Sequence, residues 1–379
     1  MELYILDSSY NPTSAGVNRL LAFGLALQKK GVHVTYYYLF PYKKGEKSTR
    51  YLDKLKFVYL WEDSPFKNKY LNTIRSLWKF YKLMKPEIPV YAYSLLNCIY
   101  FLRKKKGIRL YHEYTENPEV IGKIGGFVGE YLYRLYKKTI PKLDGLFLIT
   151  PALCDKYINE FGADPNKTVL LNMVVDKSRF EYLAEVEPEK SISYCGIISE
   201  FKDGVSILIQ AFAKVSSTHP DYLLKLIGSF RDEQTGKNLK ALVDQLGIAE
   251  KVMFVGVVPP EEMPKLLKQS SILALARPDN IQAKYGFATK IGEYLMTERP
   301  VVLTRVGAVE NYLVDKENCI LANPDDVDDL ADKLIWTIDN YDTASQIGIK
   351  GKEVALTHFN SEIESNKIYD LIFNPTFTI

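Results

Sequence analysis

Short apolar runs alternate with helical patterns along the whole chain. In the first half, the run Leu3–Leu6 is followed by leucines with helical spacing, by Gly31 and then by the run Val32–Leu39. The second half repeats this alternation, for example around Leu223–Ile227 and Val252–Val255. Strand, helix, strand units of this kind pair their strands in parallel. Because 379 residues suffice for two hydrophobic cores, we predict an α/β protein with two domains.

Composition argues against several classes of protein. The four cysteines, at positions 98, 154, 195 and 319, lie far apart and show no paired spacing, so neither a disulfide framework nor a zinc site is expected. The N-terminus, MELYILDSSYNP, lacks the charged start and long apolar stretch of a signal peptide. No apolar run reaches the roughly 18 residues of a membrane span. A reducing, cytoplasmic location fits these features.

The two halves of the chain carry opposite net charge. Residues 1–185 contain 29 Lys and Arg against 18 Asp and Glu, or +11; the remainder contains 49 − 29 = 20 basic and 46 − 18 = 28 acidic residues, or −8. A basic, tyrosine-rich first half favours contact with an anionic membrane surface or a diphosphate-linked lipid. Nucleic acid is disfavoured because no recognition motif accompanies the charges. Plain solvated surface charge remains the alternative.

Residues 282–302, QAKYGFATKIGEYLMTERPVV, join a turn to a short helical pattern. The turn consists of Tyr285, Gly286, Phe287, Ala288 and Thr289. Lys290 follows in the first helical turn, where unpaired amides and partial positive charge attract anions. Glu293 comes one turn later and could accept hydrogen bonds from ribose hydroxyls. The stretch therefore predicts a grip on a nucleotide sugar.

Two further glycines stand where predicted strands open into loops. Gly228 follows Leu223–Ile227, and Gly256 follows Val252–Val255. Ligands of open α/β sheets bind outside the carboxyl ends of the strands. Gly228 is therefore a candidate for contact with the nucleotide, and Val257, next along the chain, is a candidate for the pocket of the base.

The stretch 282–302 resembles the C-terminal donor-site motif of glycosyltransferase family 4, and residues 194–212, YCGIISEFKDGVSILIQAF, resemble the first loop of the same domain. The resemblance implies the GT-B fold, in which two Rossmann-like domains face a central cleft and the C-terminal helix crosses back to the first domain. Residues 167–180 resemble the interdomain segment. We accordingly place an acceptor domain at 1–185, a nucleotide-sugar domain at 186–357 and the returning helix at about 358–379.

The resemblance also assigns roles to particular residues. Gly196 matches the glycine of that first loop, and Lys202 matches the basic residue whose charge would balance the leaving diphosphate. Glu293 matches one motif glutamate, but the second, eight positions earlier in the family, is Tyr285 here. Where many relatives have Arg after the glycine, this chain has Ile197. Lys290 or Arg277 could supply the missing cation.

Two residues of the first half are weaker candidates. Gly16 lies in a first loop before a helix, as in family 4, and either approaches a phosphate or is a plain turn glycine. His112, with Glu113, follows the predicted strand Ile108–Tyr111, at the edge where relatives place a His or an acid near the reacting sugar. A structural histidine is the equal alternative.

No candidate metal site emerges from the sequence. The acidic run at 325–329 follows Asn323-Pro324 and predicts a helix start whose carboxylates complement the helix dipole. A donor site that relies on lysines and helix amides, without a metal, is expected.

The resemblance implies a retaining glycosyltransferase, and with the basic first half it predicts a role in surface polysaccharide biosynthesis, such as capsule or lipopolysaccharide. The donor would be a UDP-sugar or GDP-sugar, with no further cofactor. The acceptor would be a saccharide or a polyprenyl-diphosphate-linked sugar, and the enzyme would be cytoplasmic, with peripheral contact at the inner face of the membrane. A non-catalytic protein that binds sugar nucleotides or glycans, and a GT-B sugar-nucleotide epimerase, are the alternatives.

Overall fold

The computed structural model describes residues 1–11, 14–40, 49–52, 54–61, 69–94, 96–119, 126–181, 183 and 186–374. The chain divides into two compact units. Unit 1 comprises Met1–Asn172 together with Ser361–Ile379, and unit 2 comprises Met173–Asn360. The predicted organisation into two α/β domains is confirmed.

Unit 1 is built on an eight-stranded sheet, counted over the described residues, with the order β3-β4-β2-β1-β5-β6-β7-β8. Its strands are β1 Glu2–Ser9, β2 His33–Phe40, β3 Thr49–Leu52, β4 Leu55–Tyr59, β5 Val90–Tyr93, β6 Leu110–Tyr114, β7 Gly145–Leu148 and β8 Thr168–Leu170. Neighbouring strands pair in parallel, as predicted, except that β3 runs antiparallel to β4.

The helices of unit 1 include the last helix of the chain. They span Ala15–Lys29, Lys69–Leu83, Leu96–Leu102, Gly126–Thr139, Pro151–Phe161 and Ser361–Phe373. The last of these packs against the first, and Lys29 Nζ lies 2.5 Å from the Glu362 carboxylate. The predicted return of the C-terminal helix to the first domain is therefore confirmed.

Unit 2 holds a six-stranded sheet among its described residues, in the order β11-β10-β9-β12-β13-β14. Its strands are β9 Glu189–Cys195, β10 Leu223–Ile227, β11 Val252–Gly256, β12 Ser270–Leu275, β13 Val301–Thr304 and β14 Ile320–Ala322. All neighbouring pairs are parallel. Every residue of β12 is buried, as expected for a parallel strand with both faces covered by helices.

The helices of unit 2 alternate with these strands. They span Ser178–Glu181, Glu200–Asp203, Val205–Thr218, Glu233–Gln245, Met263–Gln269, Ile281–Tyr285, Lys290–Met296, Val327–Asp339 and Tyr341–His358. Asp326 caps the helix Val327–Asp339, because its side chain accepts a hydrogen bond from the amide of Asp329. The helix start predicted for the acidic run is confirmed. Within the described ranges, no helix has the length and apolar character needed to cross a bilayer.

The division between the units falls at Asn172, before the predicted boundary at 185/186. The segment after Asn172 packs within unit 2. The amide of Val175 donates to the Phe359 carbonyl at 2.9 Å, and a Cβ placed on Gly292 would lie 2.5 Å from the Met173 Cε atom. Close packing of an apolar segment against the helix Lys290–Met296 thus assigns it to unit 2.

Candidate donor site in unit 2

The carboxyl ends of β9, β10 and β11 contact one another through backbone hydrogen bonds at glycines. Gly196 donates its amide hydrogen to the Ile227 carbonyl, and Gly228 donates to the Gly256 carbonyl, both at 2.8 Å. Gly196 and Gly228 have φ angles of 145° and 134°, which side chains rarely permit. A Cβ on Gly228 would lie 1.9 Å from the Gly196 carbonyl oxygen. Only glycine allows these strand ends to approach so closely.

Lys290 brings a positive charge to the same strand ends. A Cβ on Gly196 would lie 2.5 Å from Lys290 Nζ. The ammonium group donates to Asp203 Oδ2 at 2.7 Å and to Tyr194 Oη at 3.0 Å, and it lies 4.3 Å from the Tyr194 ring centroid. The helix Lys290–Met296 therefore starts with a cation whose position is fixed by two partners.

Burial and charge act in opposite directions on this ion pair. Burial lowers the pKa of Lys290, although the Asp203 carboxylate opposes that effect. Burial also raises the pKa of Asp203, but Lys290, the Tyr194 hydroxyl and the charge of Arg277 outweigh it and leave the pKa below its usual range. Asp203 therefore stays ionised beside Lys290.

The structure places Lys202 and its neighbour on different sides of their short helix. Asp203 is 3% exposed and points toward Lys290, whereas the side chain of Lys202 is exposed. Arg277 is 4% exposed, and its Nε donates to the Lys202 carbonyl oxygen at 3.3 Å. Among the residues proposed to carry positive charge, Arg277 is buried, Lys290 is half-buried and Lys202 is exposed.

Glu293 is held by an arginine that the sequence analysis missed. Arg179 Nη1 donates to Glu293 Oε1, and its Nη2 donates to the Pro260 carbonyl at 2.9 Å. The two side chains are 23% and 25% exposed. In the described part of the chain, Glu293 Oε2 accepts no hydrogen bond. Arg179 lies in the segment 167–180. The sequence signal for its role was a positive charge directly before the apolar Phe180, which is buried in the structure.

The Gly-Phe turn is anchored in the interior of unit 2. The Phe287 ring lies 5.9 Å from the Tyr312 ring and 5.4 Å from the Phe359 ring, measured between centroids. Tyr285, Gly286 and Ala288 are buried as well, and Thr289 is half-buried. Most side chains of the turn therefore pack inside unit 2, which leaves its backbone as the part available to contact a ligand.

Val257 was a candidate for the pocket of the base, and the acidic run at 325–329 was predicted to start a helix and not to bind a metal. Val257 is 68% exposed just after β11, so its contact with a base stays a prediction. Asp328 pairs with Lys214, and Asp329 accepts from the amide of Asn323. Within the described ranges, no cluster of three His, Cys, Asp or Glu residues could hold a metal ion.

In unit 1, His112 is a core residue, which corrects its expected position. The strand β6 begins at Leu110 and not at Ile108, so His112 and Glu113 lie inside it and not beyond its end. His112 is 0% exposed and has no surface with which to touch a substrate. The structure therefore shows a packing role for His112, and a catalytic role stays a prediction.

A hydrogen-bond chain holds His112 in its neutral form. Its Nδ1 lies 2.9 Å from the Ala92 carbonyl, which can only accept, so Nδ1 carries the proton and Nε2 accepts from Tyr136 Oη at 3.2 Å. Tyr136 Oη in turn contacts Tyr157 Oη. Burial lowers the pKa of His112 to about 4, against a small opposing effect of the Ala92 carbonyl.

Gly16 and Glu113 likewise have partners inside unit 1. A Cβ on Gly16 would lie 2.6 Å from Tyr93 Oη, so the tyrosine occupies the space beside the start of the helix Ala15–Lys29. Glu113 pairs with Arg19 at 2.5 Å and accepts from Tyr91 Oη. The phosphate role of Gly16 stays a prediction, and its packing role is visible.

Sequence comparison finds a match to a family model within the second unit. Residues 176–354 match the model described as glycosyl transferases group 1. The D-inositol 3-phosphate glycosyltransferase of Corynebacterium diphtheriae is 24% identical over 234 residues, which cover 58% of this chain and 53% of that protein. The chain thus matches about half of the length of this curated relative.

Structural comparison extends over nearly the whole chain. WaaG, a glycosyltransferase involved in lipopolysaccharide biosynthesis, superimposes with a TM-score of 0.72 at 14% identity, covering 98% of this chain and 100% of WaaG. Alr3699/HepE of Anabaena, solved in complex with UDP-glucose, gives a TM-score of 0.73 at 16% identity and covers 98% of both chains. These likenesses confirm the predicted GT-B fold.

Proposed function

We propose, from the GT-B fold of the chain and the group 1 glycosyl transferase sequence of residues 176–354, that this protein is a retaining, metal-independent glycosyltransferase. Unit 2 binds a UDP-sugar or GDP-sugar. Unit 1 holds a saccharide or a lipid-linked acceptor in the biosynthesis of a surface polysaccharide. The structure of HepE with UDP-glucose supports a nucleotide-sugar donor, and the role of WaaG in lipopolysaccharide biosynthesis supports the pathway class.

One observation carries the proposal: the half-buried ammonium group of Lys290 lies beside the backbone of glycines, which have no side chains. Lys290 Nζ uses two donors on Asp203 and Tyr194, which leaves a third for a ligand. The bare loops at Gly196 and Gly228 let a diphosphate approach closely, as phosphates do at glycine-rich strand ends. Lys202 would add charge from its exposed position, and Lys290 would provide the stronger contact.

Glu293 would orient the nucleotide through its sugar. Arg179 occupies Oε1 and leaves Oε2 to accept from a ribose hydroxyl. Arg179 also donates to Pro260, so it ties the loop after β11 to the helix that bears Glu293. We therefore assign Arg179 the part of a positioning residue.

The reaction needs no protein nucleophile. The bond between the anomeric carbon and the diphosphate oxygen breaks, and a bond from that carbon to the acceptor oxygen forms on the same face. The acceptor proton passes to the departing diphosphate, whose charge Lys290 stabilises. The burial of His112 is consistent with this scheme, because it removes that base from contact with the acceptor.

Calorimetry with UDP, GDP and their common sugars tests the donor assignment. Wild-type protein should bind one nucleotide, and Lys290→Met should weaken that affinity by about 1.5–3 kcal/mol, the scale of a charged hydrogen bond. Lys237→Met is the matched control, because Lys237 is exposed on another helix of unit 2 and pairs only at the surface with Glu233. Unchanged affinity in the Lys290 variant would remove this residue from the site.

A non-catalytic binding protein is the second candidate. Tyr285 is buried where the family has a glutamate, and Ile197 is 61% exposed where many relatives have arginine. Product formation with a donor and acceptor panel, with and without EDTA, separates the candidates. Nucleotide binding without transfer or donor hydrolysis would favour the binding protein, and loss of turnover in EDTA would contradict metal independence.

A further inference from the structure

The helix Lys69–Leu83 buries two polar side chains and exposes several large apolar ones. Asn72 and Ser76 are each 1% exposed and face the interior of unit 1 together with Phe80. Ile74 is 63% exposed and Trp78 is 53% exposed. A surface helix normally buries its apolar residues and exposes its polar ones. The apolar face of this helix therefore serves a purpose other than packing on its own sheet.

The exposed apolar residues form one continuous stripe. Leu71, Ile74 and Trp78 are spaced by three and four positions, so they lie on one side of the helix. A shallow, open groove of about 480 Å³ runs along this side and is lined by Leu71, Ile74, Arg75, Trp78, Lys79 and Lys82. Apolar residues and cations thus share a single surface, which we call the Trp78 face.

Every charged residue of the helix that bears the Trp78 face is basic. Residues 71–85 contain Arg75, Lys79, Lys82 and Lys85 and no acidic residue. Lys82 Nζ lies 3.5 Å from the centroid of the Trp78 ring. Lys105 Nζ donates to the Tyr81 carbonyl at 2.5 Å, which brings the basic run 104–106 to the end of the helix. A partner must therefore be both apolar and negatively charged.

We propose that the Trp78 face docks unit 1 on an anionic lipid bilayer. Ile74 and Trp78 enter the boundary between headgroups and acyl chains, and Lys82 and Lys85 contact lipid phosphates, as in helices that lie in the plane of a membrane. The inference deepens the proposed function, since it brings the unit assigned to the acceptor to the surface where a lipid-linked acceptor resides. Calorimetry with UDP and GDP on the same variants reports the donor site separately.

The helix Gly126–Thr139 is the natural comparison within unit 1. Phe127 is 91% exposed and Val128 is 64% exposed, so this helix also presents apolar surface. Glu130 stands in the same helix, where it pairs with Arg134. The helix Gly126–Thr139 carries three cations and Glu130, or 3 − 1 = +2, whereas the helix Lys69–Leu83 carries four cations and no acid, or +4. The larger positive charge makes the Trp78 face the better match for an anionic membrane.

Sedimentation with vesicles tests the proposal. Wild-type protein should bind vesicles of phosphatidylcholine and phosphatidylglycerol at low salt and should bind much less to phosphatidylcholine alone. The variant Ile74→Ser/Trp78→Ser should lose about tenfold or more in partitioning. Lys82→Gln/Lys85→Gln should lose about tenfold, with a weaker salt dependence. The matched control, Phe127→Ser/Val128→Ser, removes comparable exposed apolar surface and should bind like wild type.

A fluorescence experiment locates the contact. The sequence contains three tryptophans, so Trp61→Phe/Trp336→Phe leaves Trp78 as the reporter. Brominated lipids in anionic vesicles should quench its emission. No sedimentation of wild-type protein with anionic vesicles, equal binding by the Ile74/Trp78 variant, or selective loss in the Phe127/Val128 control would each overturn the proposal. Because Ile74 and Trp78 are half-exposed, unchanged thermal unfolding should show that their variant is folded.

Discussion

The two units share a parallel α/β design but close the ends of their central strands differently. In unit 1, large polar side chains fill this region: Arg19 donates to Glu113 and to the carbonyl oxygen of Leu171, at 2.5 and 2.9 Å. In unit 2, Gly196 and Gly228 leave the corresponding strand ends bare, with Lys290 beside them. A few side chains thus decide whether neighbouring strand ends meet through side chains or through backbone.

Both units also bury ion pairs, with different consequences. The Arg19–Glu113 pair is 2% and 1% exposed, and Arg19 Nη1 and Nη2 each donate one hydrogen bond to a backbone carbonyl. The Lys290–Asp203 pair is 16% and 3% exposed, and the lysine keeps a donor unused by those partners. The first pair thus connects the helix Ala15–Lys29 to β6 and to residues 171–172, whereas the second leaves one Lys290 N–H outside its two hydrogen bonds.

The largest effect should come from breaking the pair in unit 1. Arg19→Met leaves Glu113 charged and buried without its partner, so the free energy of unfolding should fall by about 3–5 kcal/mol. Urea unfolding measures this change. The double variant Arg19→Met/Glu113→Gln should recover most of the loss, and nucleotide affinity of the folded protein should match wild type. A single variant as stable as wild type would show that the pair contributes nothing.

The next effect concerns pH and His112. Its pKa of about 4 in the folded state lies below the ordinary 6.5, so its contribution to stability is complete above pH 6.5 and is lost as the pH falls toward 4. The contribution amounts to about 3 kcal/mol. His112→Asn, which cannot protonate, should be less stable than wild type at neutral pH, and the difference should shrink by about that amount near pH 4.

Asp7 provides the internal check on this experiment. Burial raises its pKa to about 6, although hydrogen bonds from Ser8 oppose the shift. The contribution of Asp7 to stability has the opposite pH dependence to that of His112. It is present below pH 3.8 and is lost as the pH rises through about 6. Asp7 is present in both proteins, so subtracting their stabilities cancels it. A difference that stays constant with pH would contradict the neutral, buried state of His112.

A smaller effect should separate positioning from binding in unit 2. Arg179→Met should free the Glu293 carboxylate and weaken UDP or GDP affinity by about 1.5 kcal/mol, or roughly tenfold. The same variant should bind a 2′,3′-dideoxy nucleotide as well as wild type does, because that analogue lacks the hydroxyls that Glu293 would contact. Equal losses with both nucleotides, measured by calorimetry, would assign Arg179 a general structural role.

The smallest effect should come from Lys202. Its side chain is exposed, and exposed ion pairs contribute about 0.2–1 kcal/mol. Lys202→Ala should therefore weaken nucleotide affinity by less than about 1 kcal/mol and should lose most of that effect at high salt. A loss as large as that of Lys290→Met would reverse the order of the two lysines.

Particular residues show where sequence reasoning succeeded and where it failed. The strand β10 was predicted residue for residue, because Leu223–Ile227 is a short apolar run between clear breaks. The short strands β3, β8 and β14 were missed, since so few residues give little periodicity. A start placed two residues early for β6 put His112 outside the sheet, although its side chain lies in the core.

The sequence by itself determined the fold class, the two units and the residues at the strand ends of unit 2, because hydrophobic period and glycine position are local properties. The tertiary structure decided which charges meet. Arg179 and Glu293 stand 114 positions apart, and Lys290 and Asp203 stand 87 apart. No local pattern encodes such pairs, since they form only when separate elements pack in one core and bury their charges together.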